Sequence, residues 1–343
     1  MIGVDGGATE VKAHEILEVG GGLEIGPAAA VFRYAENTGF APIALAAQLA
    51  EFGRGDVRVT IREKAEGEQW IDSAAHAIGS VAARTSRAEL RIGMCMPGLK
   101  TIDGRGIAVM KNGPRIPDYL DRLEARLVRD GFVLARPIGR LISDGDACGH
   151  GEDASSHGGF RGVANAYYVG GGTGLAECCK LDGRIVGFDE LAGVMPKGWQ
   201  MVNESGERTF EELLSMRGVN ARFRERGGGE EWVEICAAAG DAQANDVLRE
   251  TAIALGEIAA LRVNALRASR GTQLERVVVG QRLGLLFADP KLARVLREPA
   301  ERELERRVGA RSLLVASTLR AAPAIGSARC ALGLSSTRGG THG

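Results

Sequence analysis

The sequence lacks a net charge and lacks long apolar runs. Lys and Arg total 43 residues against 44 for Asp and Glu, so no overall field would attract nucleic acid or an anionic membrane. No apolar stretch approaches the roughly 18 residues of a membrane-spanning helix, and the residues from Ile2 onward predict a buried strand rather than a signal peptide. We therefore expect no nucleic-acid partner, no membrane association and a cytoplasmic location.

Cysteine is sparse and has no paired spacing. The six cysteines form no CxxC pair and are too few for a disulfide scaffold, so we expect reduced thiols and no structural zinc. Cys178 and Cys179 are adjacent on a predicted strand, which would turn one side chain inward and the other outward.

The chain has 343 residues, 45% of them hydrophobic and 25% charged, which suits two domains of roughly 100 to 200 residues each. Strand and helix patterns alternate, which is typical of an α/β fold. We expect an N-terminal lobe at 1–140, a C-terminal lobe at 141–317, a last helix at about 318–334 that packs back on the first lobe, and a flexible tail at 335–343. Surface loops are predicted at 63–69, 151–162 and 224–231.

The first candidate motif is DGGATEVK, at 5–12, between two predicted strands. Its glycines let backbone amides approach an anion closely, Thr9 offers a hydroxyl, and Asp5 at the strand end could hold a magnesium-bound water. Taken alone, the motif also fits an ordinary hairpin turn.

The second candidate motif is GGGTG, at 170–174, again between two predicted strands. Three successive glycines exceed what a hairpin needs, and two such turns are what a nucleoside triphosphate held by two lobes would require. Neither turn is a Walker loop, because no GKS or GKT follows, and no GxGxxG dinucleotide fingerprint is present.

The third candidate motif is ISDGDACGHGE, at 142–152, where a predicted strand meets a helix start. The carboxylate of Asp144 could take the proton from an attacking hydroxyl while a phosphoryl group is transferred. The alternative is that Ser143 or Asp144 only caps the helix. The acidic and histidine side chains nearby suggest either a metal cluster or a solvated loop: His150, Glu152, Asp153 and His157.

These motifs, together with PG at 97–98, KNGP at 111–114, FEELLS at 210–215, AGDAQANDVL at 239–248 and VVVGQRLG at 277–284, occur in the order and spacing of the ROK family of sugar kinases. The chain resembles that family from Ile2 to about Leu332. The resemblance implies a two-lobed actin-like (ribonuclease H-like) α/β fold with ATP in the interlobe cleft, a sugar or sugar-like substrate and Mg²⁺. A homodimer is one possible assembly.

The resemblance also implies roles for individual residues. Asp144 corresponds to the catalytic base, and Asp5 to the residue that holds Mg²⁺ through water. The residues that correspond to the phosphate and adenosine turns are Asp5, Gly7, Ala8, Thr9, Lys12, Gly171, Gly172, Thr173, Gly174, Gly280 and Gln281. The residues that correspond to the substrate site are Gly98, Asn112, Ser143, Asp144 and Glu211.

The sequence departs from the family at two elements. The Glu-x-Gly-His element that touches the sugar is replaced by LAGVMPKGW at 191–199, with Val194 and Lys197 at the nearest positions, and the zinc-binding cysteine cluster is absent. Ser143 also replaces the asparagine that usually precedes the base. We therefore expect phosphoryl transfer with a specificity directed away from unmodified glucose.

Two other functions remain open. A non-catalytic sugar sensor would share the fold; because only Met1 precedes the first strand, the helix-turn-helix of ROK repressors is not expected here. An ATPase of the BadF type also begins with a similar motif, but the segment after Pro97-Gly98 and the AGDAQANDVL helix favour ROK.

Overall fold

The structure is a computed structural model that describes residues 1–34, 40–85, 88–191, 193–309 and 313–333. The predicted tail at 335–343 lies outside the described residues. The chain divides into two compact units: the first is Met1–Ser156 with Ala321–Gly343, and the second is His157–Arg320.

The first unit contains a four-stranded sheet in the order β3-β2-β1-β4, a two-stranded ribbon (β5 and β6) and five helices among the described residues. Its strands are β1 Ile2–Gly6, β2 Glu10–Val19, β3 Gly22–Arg33, β4 Ile92–Cys95, β5 Leu99–Lys100 and β6 Ile107–Val109. Its helices are α1 Leu45–Gly53, α2 Ile61–Thr85, α3 Tyr119–Arg129, α4 Asp144–Ala154 and α11 Ala322–Ala331.

Strands β1, β2 and β3 form an antiparallel meander, and β4 pairs with β1 in parallel. Strand β3 was not predicted, because its sequence, with Gly26-Pro27 followed by three alanines, shows no regular alternation of apolar and polar residues. The predicted loop at 63–69 is wrong. These residues lie inside α2, whose buried face at Trp70 and Ile71 packs on the core of the unit.

The division between the units falls after Ser156, later than the expected boundary at 140, and α4 therefore belongs to the first unit. The reason is close packing between α4 and α11. A Cβ atom on Gly151 would collide with the carbonyl of Ala322, and one on Gly326 with the carbonyl of Ala147. The two helices thus meet at backbone distance, which only glycine permits.

The second unit contains a five-stranded sheet in the order β11-β10-β7-β8-β9. Its strands are β7 Ala166–Gly171, β8 Leu175–Leu181, β9 Arg184–Val186, β10 Arg276–Gly280 and β11 Leu314–Ala316. Its helices are α5 Phe210–Leu214, α6 Met216–Glu225, α7 Val233–Ala238, α8 Ala242–Arg270, α9 Gln281–Ala288 and α10 Arg297–Val308. Short 3₁₀ turns lie at Phe188–Leu191 and Gly198–Gln200.

The second unit repeats the meander of the first, since β7, β8 and β9 are antiparallel and β10 pairs with β7 in parallel. The predicted arrangement of strand, glycine turn and strand therefore occurs in both units. Helices α7 and α8 are separate because Gly240 between them has φ +94° and Asp241 caps α8, with its Oδ1 accepting from the Ala244 amide at 2.7 Å.

Each unit has its own hydrophobic core. Cys178 and Cys179 are both fully buried, so the expectation that one of them faces outward is wrong; both faces of β8 are covered. Among the described residues no helix is long and apolar enough to cross a membrane.

Candidate active site

Asp5 lies at the end of β1, where three strands of the first unit meet. In the sheet it is paired with Lys12 on β2 and with Cys95 on β4, and the Cys95 thiol points at its Oδ1 at 3.8 Å. Burial raises the pKa of the Asp5 carboxyl, Lys12 opposes this shift, and the negative charge of Asp144 adds to it. Burial is the largest of these effects, so the charged form of Asp5 is disfavoured in its own unit.

The turn after Asp5 is tightly held. The Gly7 amide donates to the Glu10 carbonyl at 2.9 Å, and the Thr9 carbonyl accepts from the Tyr34 amide at 3.0 Å. Gly6 has no room for a side chain, since a Cβ atom would collide with Met96. Ala8 is half-buried in this turn and the Thr9 residue is exposed, so a ligand can reach the hydroxyl.

The ammonium group of Lys12, predicted to bind phosphate, forms an ion pair with Glu10 at 3.0 Å. Its side chain keeps 40% exposure, so the pair lies at the surface, where such pairs are weak. An incoming phosphate could therefore compete for this ammonium group.

Asp144 lies at the first position of α4, beside the same sheet edge as Asp5. Ile142 forms an isolated parallel bridge with Cys95, the last residue of β4, and the Ile142 carbonyl accepts from the Met96 amide at 3.1 Å. This pairing brings the residues after Ile142 to the end of β1, which is the neighbour of β4. Ser143 is the helix cap, because its Oγ accepts from the Asp146 amide at 3.0 Å. Asp144 is not the capping residue and stays half-buried at the helix start.

The structure thus brings Asp5 and Asp144 together, although the sequence placed them in different lobes. Asp144 belongs to the first unit because α4 packs on α11 there. Two carboxylates from separate motifs share one electrostatic environment, which is an arrangement that catalytic sites often use.

The Pro97-Gly98 turn follows β4 directly. Gly98 has φ +83°, and a Cβ atom there would collide with the carbonyl of Val109, so glycine is required. The Lys100 ammonium donates to the carbonyls of Met96 at 2.7 Å and Gly98 at 2.6 Å and fixes this turn. Asn112 is exposed in the turn after β6.

The GGGTG turn of the second unit is built by its neighbours. The Gly172 amide donates to the Gly174 carbonyl at 3.0 Å, and its carbonyl accepts from the Met216 amide at 2.8 Å, at the start of α6. Gly171 is buried, and a Cβ atom there would collide with the carbonyl of Leu214. Thr173 is exposed at the tip of the turn.

Gly280 and Gln281, the residues of the predicted adenosine turn, lie beside this turn. Gly280 pairs with Gly170 in the parallel register of β10 and β7. Gln281 has φ +55°, an uncommon conformation for a residue other than glycine, and its Oε1 lies 2.6 Å from where a Cβ atom of Gly172 would be. Backbone strain of this kind concentrates at functional sites.

Glu211 borders the same turn at the start of α5. Its Oε2 accepts from the Leu175 amide at 3.5 Å, and its Oε1 lies 3.6 Å from Arg217. The structure therefore brings Glu211 next to Gly174, on the second unit.

The segment 194–199, which replaces the family's sugar-contacting element, is anchored by a buried acid that sequence reasoning missed. The Gly198 amide donates to Glu177 Oε2 at 2.5 Å, while Glu177 Oε1 accepts from Arg262 at 2.6 Å and from the Tyr167 hydroxyl at 2.8 Å. Val194 packs against the core. Glu177 gave no signal, since it lies on β8 outside the candidate motifs and its partner Arg262 is far away in the sequence.

No group of three or more His, Cys, Asp or Glu side chains among the described residues could hold a metal ion. The metal-cluster interpretation of His150, Glu152, Asp153 and His157 therefore finds no support among the described residues. The predicted loop at 151–162 begins inside α4, and Glu152 is fully buried there.

No protein-family model matches the sequence, and no curated protein is significantly similar to it. Solved structures do match. A ROK family glucokinase from Streptomyces griseus, in complex with glucose and AMPPNP, has a TM-score of 0.63 at 17% identity, over 97% of this chain and 99% of that chain. ROK hexokinase from Thermus thermophilus has a TM-score of 0.59 at 18% identity, over 96% of each chain.

A ROK family transcriptional regulator, a homologue of the E. coli MLC protein, also matches. Its TM-score is 0.60 at 15% identity, over 97% of this chain and 78% of that chain. These matches concern the fold, which kinases and a regulator share. The chain has the two-lobed actin-like (ribonuclease H-like) α/β fold of the ROK sugar kinases, as its ordered motifs predicted.

Proposed function

We propose that the protein is an ATP-dependent phosphotransferase of the ROK family that phosphorylates a hydroxyl of a sugar or sugar-like small molecule. The observation that carries the proposal is the convergence of Asp5 and Asp144 at one sheet edge of the first unit, one beside a glycine turn and the other at a helix start. Phosphoryl transfer needs a proton acceptor and a phosphate-positioning group side by side.

In this proposal Asp144 is the general base. Its carboxylate accepts the proton of the acceptor hydroxyl while the hydroxyl oxygen forms a bond to the γ-phosphorus of ATP. The bond between that phosphorus and the bridging oxygen breaks, and ADP leaves. Ser143, which already caps α4, leaves Asp144 free of the capping role.

The glycine turns supply backbone amides and hydroxyls for the phosphates. Gly7, Ala8, Thr9 and Lys12 would serve on the first unit, and Gly171, Gly172, Thr173 and Gly174 on the second, with Gly280 and Gln281 toward the adenosine. The S. griseus glucokinase that shares the fold was solved with AMPPNP, which supports ATP as the phosphate donor.

The residues present fit Mg²⁺. Asp5 is a hard oxygen donor at a strand end with the Asp144 carboxylate nearby, and Mg²⁺ is commonly held by one or two carboxylates plus substrate phosphates. Asp5 would hold the ion through water. Bound there, Mg²⁺ would neutralise charge on the phosphates.

Gly98, Asn112, Ser143 and Glu211 are proposed to contact the acceptor. Val194 and Lys197 replace the carboxylate and imidazole that would satisfy sugar hydroxyls, and an unsatisfied buried hydroxyl costs about 1–3 kcal/mol. We therefore expect poor phosphorylation of unmodified glucose. Glucose turnover with the catalytic efficiency of a dedicated glucokinase would contradict this.

The test is ADP release from Mg-ATP with and without a panel of hexoses and amino sugars. Turnover that depends on one acceptor supports the kinase, and turnover without any acceptor supports an ATPase of the BadF type. A thermal-shift screen of the same panel with AMPPNP identifies the acceptor first, because a ligand that binds only the folded protein raises its melting temperature.

A non-catalytic sugar sensor is the second candidate. It is favoured by the altered segment at 194–199 and by the ROK transcriptional regulator that shares the fold. Saturable sugar binding without ADP release, in protein that also binds AMPPNP, would establish the sensor and exclude the kinase.

The proposed location is the cytoplasm, where ATP is supplied. All six cysteines are free, and a reducing compartment keeps them so.

A further inference from the structure

Helix α1 of the first unit is attached to its neighbours by a glutamine rather than by apolar side chains. Among the residues of α1, all of which the structure describes, Gln48 alone is buried. Gln48 is 0% exposed, whereas the adjacent Leu49 is 41% exposed. A surface helix usually buries its apolar face, so a fully buried amide in its place needs a physical reason.

The Gln48 side chain pairs with the backbone of Met110, the residue that follows β6. Its Oε1 accepts from the Met110 amide at 2.8 Å, and its Nε2 donates to the Met110 carbonyl at 3.0 Å. The same Nε2 also donates to the Ile43 carbonyl at 2.7 Å. One side chain therefore satisfies both backbone polar groups of Met110, although the two residues are 62 positions apart.

The segment that begins at Met110 is held at its other end by Arg115. This arginine is 0% exposed, and its Nε and Nη2 donate to the two carboxylate oxygens of Glu63 on α2 at 2.6 and 2.8 Å. Its Nη1 donates to Glu51 Oε2 on α1 at 2.5 Å. A bidentate pair between arginine and a carboxylate has a specific geometry. The turn at 111–114 is thus fixed on both sides by α1 and α2.

The turn carries Asn112, which is exposed and is proposed to contact the acceptor. The next residue, Gly113, is buried, and a Cβ atom there would lie 2.5 Å from Trp70 Cη2. The Trp70 ring stacks on Tyr34 at 4.2 Å between ring centroids, and the Tyr34 amide donates to the Thr9 carbonyl of the first glycine turn. Packing within the first unit therefore connects the Asn112 turn to the proposed phosphate turn.

We propose that Gln48 is a positioning residue for the acceptor, and that its hold on Met110 fixes the turn so that Asn112 meets an acceptor hydroxyl. An exposed residue at a turn binds a small molecule well only if its backbone is held in the bound geometry beforehand. This inference rests on the proposed function, which assigns Asn112 to the acceptor. It adds a residue of α1, outside every motif of the sequence.

The first experiment is hydrogen–deuterium exchange of the ligand-free protein, followed by mass spectrometry. Gln48→Met keeps the size of the side chain and removes its hydrogen bonds. We expect the amides of 110–115 to exchange about 10-fold faster in this variant, because two hydrogen bonds to the backbone are lost. Unchanged exchange in 110–115 would show that Gln48 does not hold the turn, and would overturn the proposal.

The control for a general loss of stability is Leu127→Ala. Leu127 lies on α3, is 0% exposed and belongs to the core of the same unit, and this variant leaves a cavity there. It should lower the melting temperature without changing the exchange of 110–115. Its sugar affinity should match that of the wild type.

The second experiment measures sugar affinity by calorimetry with AMPPNP and Mg²⁺ present, using glucose, mannose, glucosamine and N-acetylglucosamine as probes. For the probe that the wild type binds most tightly, Gln48→Met should bind about 10-fold more weakly at unchanged AMPPNP affinity. Asn112→Ala should also bind it more weakly. The double variant should bind it no more weakly than Asn112→Ala alone, because a positioning residue acts only through the residue that it positions.

The outcomes separate this inference from the proposed function. If a probe binds the wild type and Gln48→Met binds it equally well, or if the losses of the two single variants multiply in the double variant, Gln48 does not act through Asn112 and the kinase proposal survives. If no probe binds the wild type, both proposals fail together. Should Gln48→Met not fold, Gln48→Glu takes its place with the same expected results, since its carboxylate still accepts from the Met110 amide but donates to neither carbonyl.

Discussion

The buried cluster around Glu177 provides a quantitative test of the second unit. Glu177 accepts hydrogen bonds from Arg262, the Tyr167 hydroxyl and the Gly198 amide. Arg262 is 1% exposed, and its Nε already lacks a partner among the described residues. Glu177→Ala would leave the guanidinium buried without its counter-charge and would also strand the Tyr167 hydroxyl.

Breaking a buried ion pair by removing one partner costs about 3–5 kcal/mol. For a unit of this size each kcal/mol lowers the melting temperature by about 2–4 °C, so Glu177→Ala should melt about 6–20 °C below the wild type. The measurement is thermal and urea unfolding followed by circular dichroism. The double variant Glu177→Ala/Arg262→Met should recover part of the loss, because it removes the stranded charge as well.

The control is an exposed ion pair on the same unit. Arg208 and Glu225 are 2.7 Å apart, with side chains 37% and 54% exposed, so Glu225→Ala should cost less than about 1 kcal/mol. The reasoning is refuted if Glu177→Ala is no more destabilising than this control. Because Glu177 also accepts a hydrogen bond from the Gly198 amide, we expect Glu177→Ala to change the affinity for the acceptor more than the affinity for the nucleotide.

Three further outcomes are expected. Asp144→Asn should lower single-turnover phosphoryl transfer by roughly 100-fold or more with little change in melting temperature, because Ser143 is the cap; near-normal chemistry would remove Asp144 from the mechanism. Gly172→Val should weaken AMPPNP binding, because its Cβ atom would lie 2.6 Å from Gln281 Oε1; unchanged affinity in a folded variant would exclude the turn as a phosphate site. Burial raises the pKa of Asp5 in the folded protein. Between the usual aspartate pKa and this raised pKa, the folded state therefore holds a proton that the unfolded state has released, and stability falls as the pH rises through this range. Asp5→Asn should therefore raise the melting temperature at pH 7 while abolishing turnover, and a lower melting temperature would show that the Asp5 charge is stabilised.

Local signals in the sequence were sufficient for much of the fold. The two glycine turns, the strand ends at Asp5 and Gly280, and the start of α4 at Asp144 all depend on residues within a few positions of one another. Turns, caps and short apolar strands are short-range features, and the sequence contains them directly.

Long-range contacts were decided only by the tertiary structure. The sequence separated Asp144 from Asp5 at a predicted lobe boundary, and only the backbone-level packing of α4 on α11 returned Asp144 to the first unit. Strand β3 was missed because its place in the sheet comes from pairing with β2 rather than from its own apolar pattern.

The polar partners inside the second unit were equally hidden. Glu177 and Arg262 are 85 residues apart, and Glu234 and Arg282 are 48 apart. Each of the two acids resembles an ordinary charged residue in the sequence, and only the fold buries it beside its arginine. The sequence by itself determined the turns, strand ends and helix start that carry the predicted site residues, because those features depend on residue types at local positions. Which charges lose their water, and which of them then face one another, was decided by packing, because burial and distance between remote residues exist only in the folded chain.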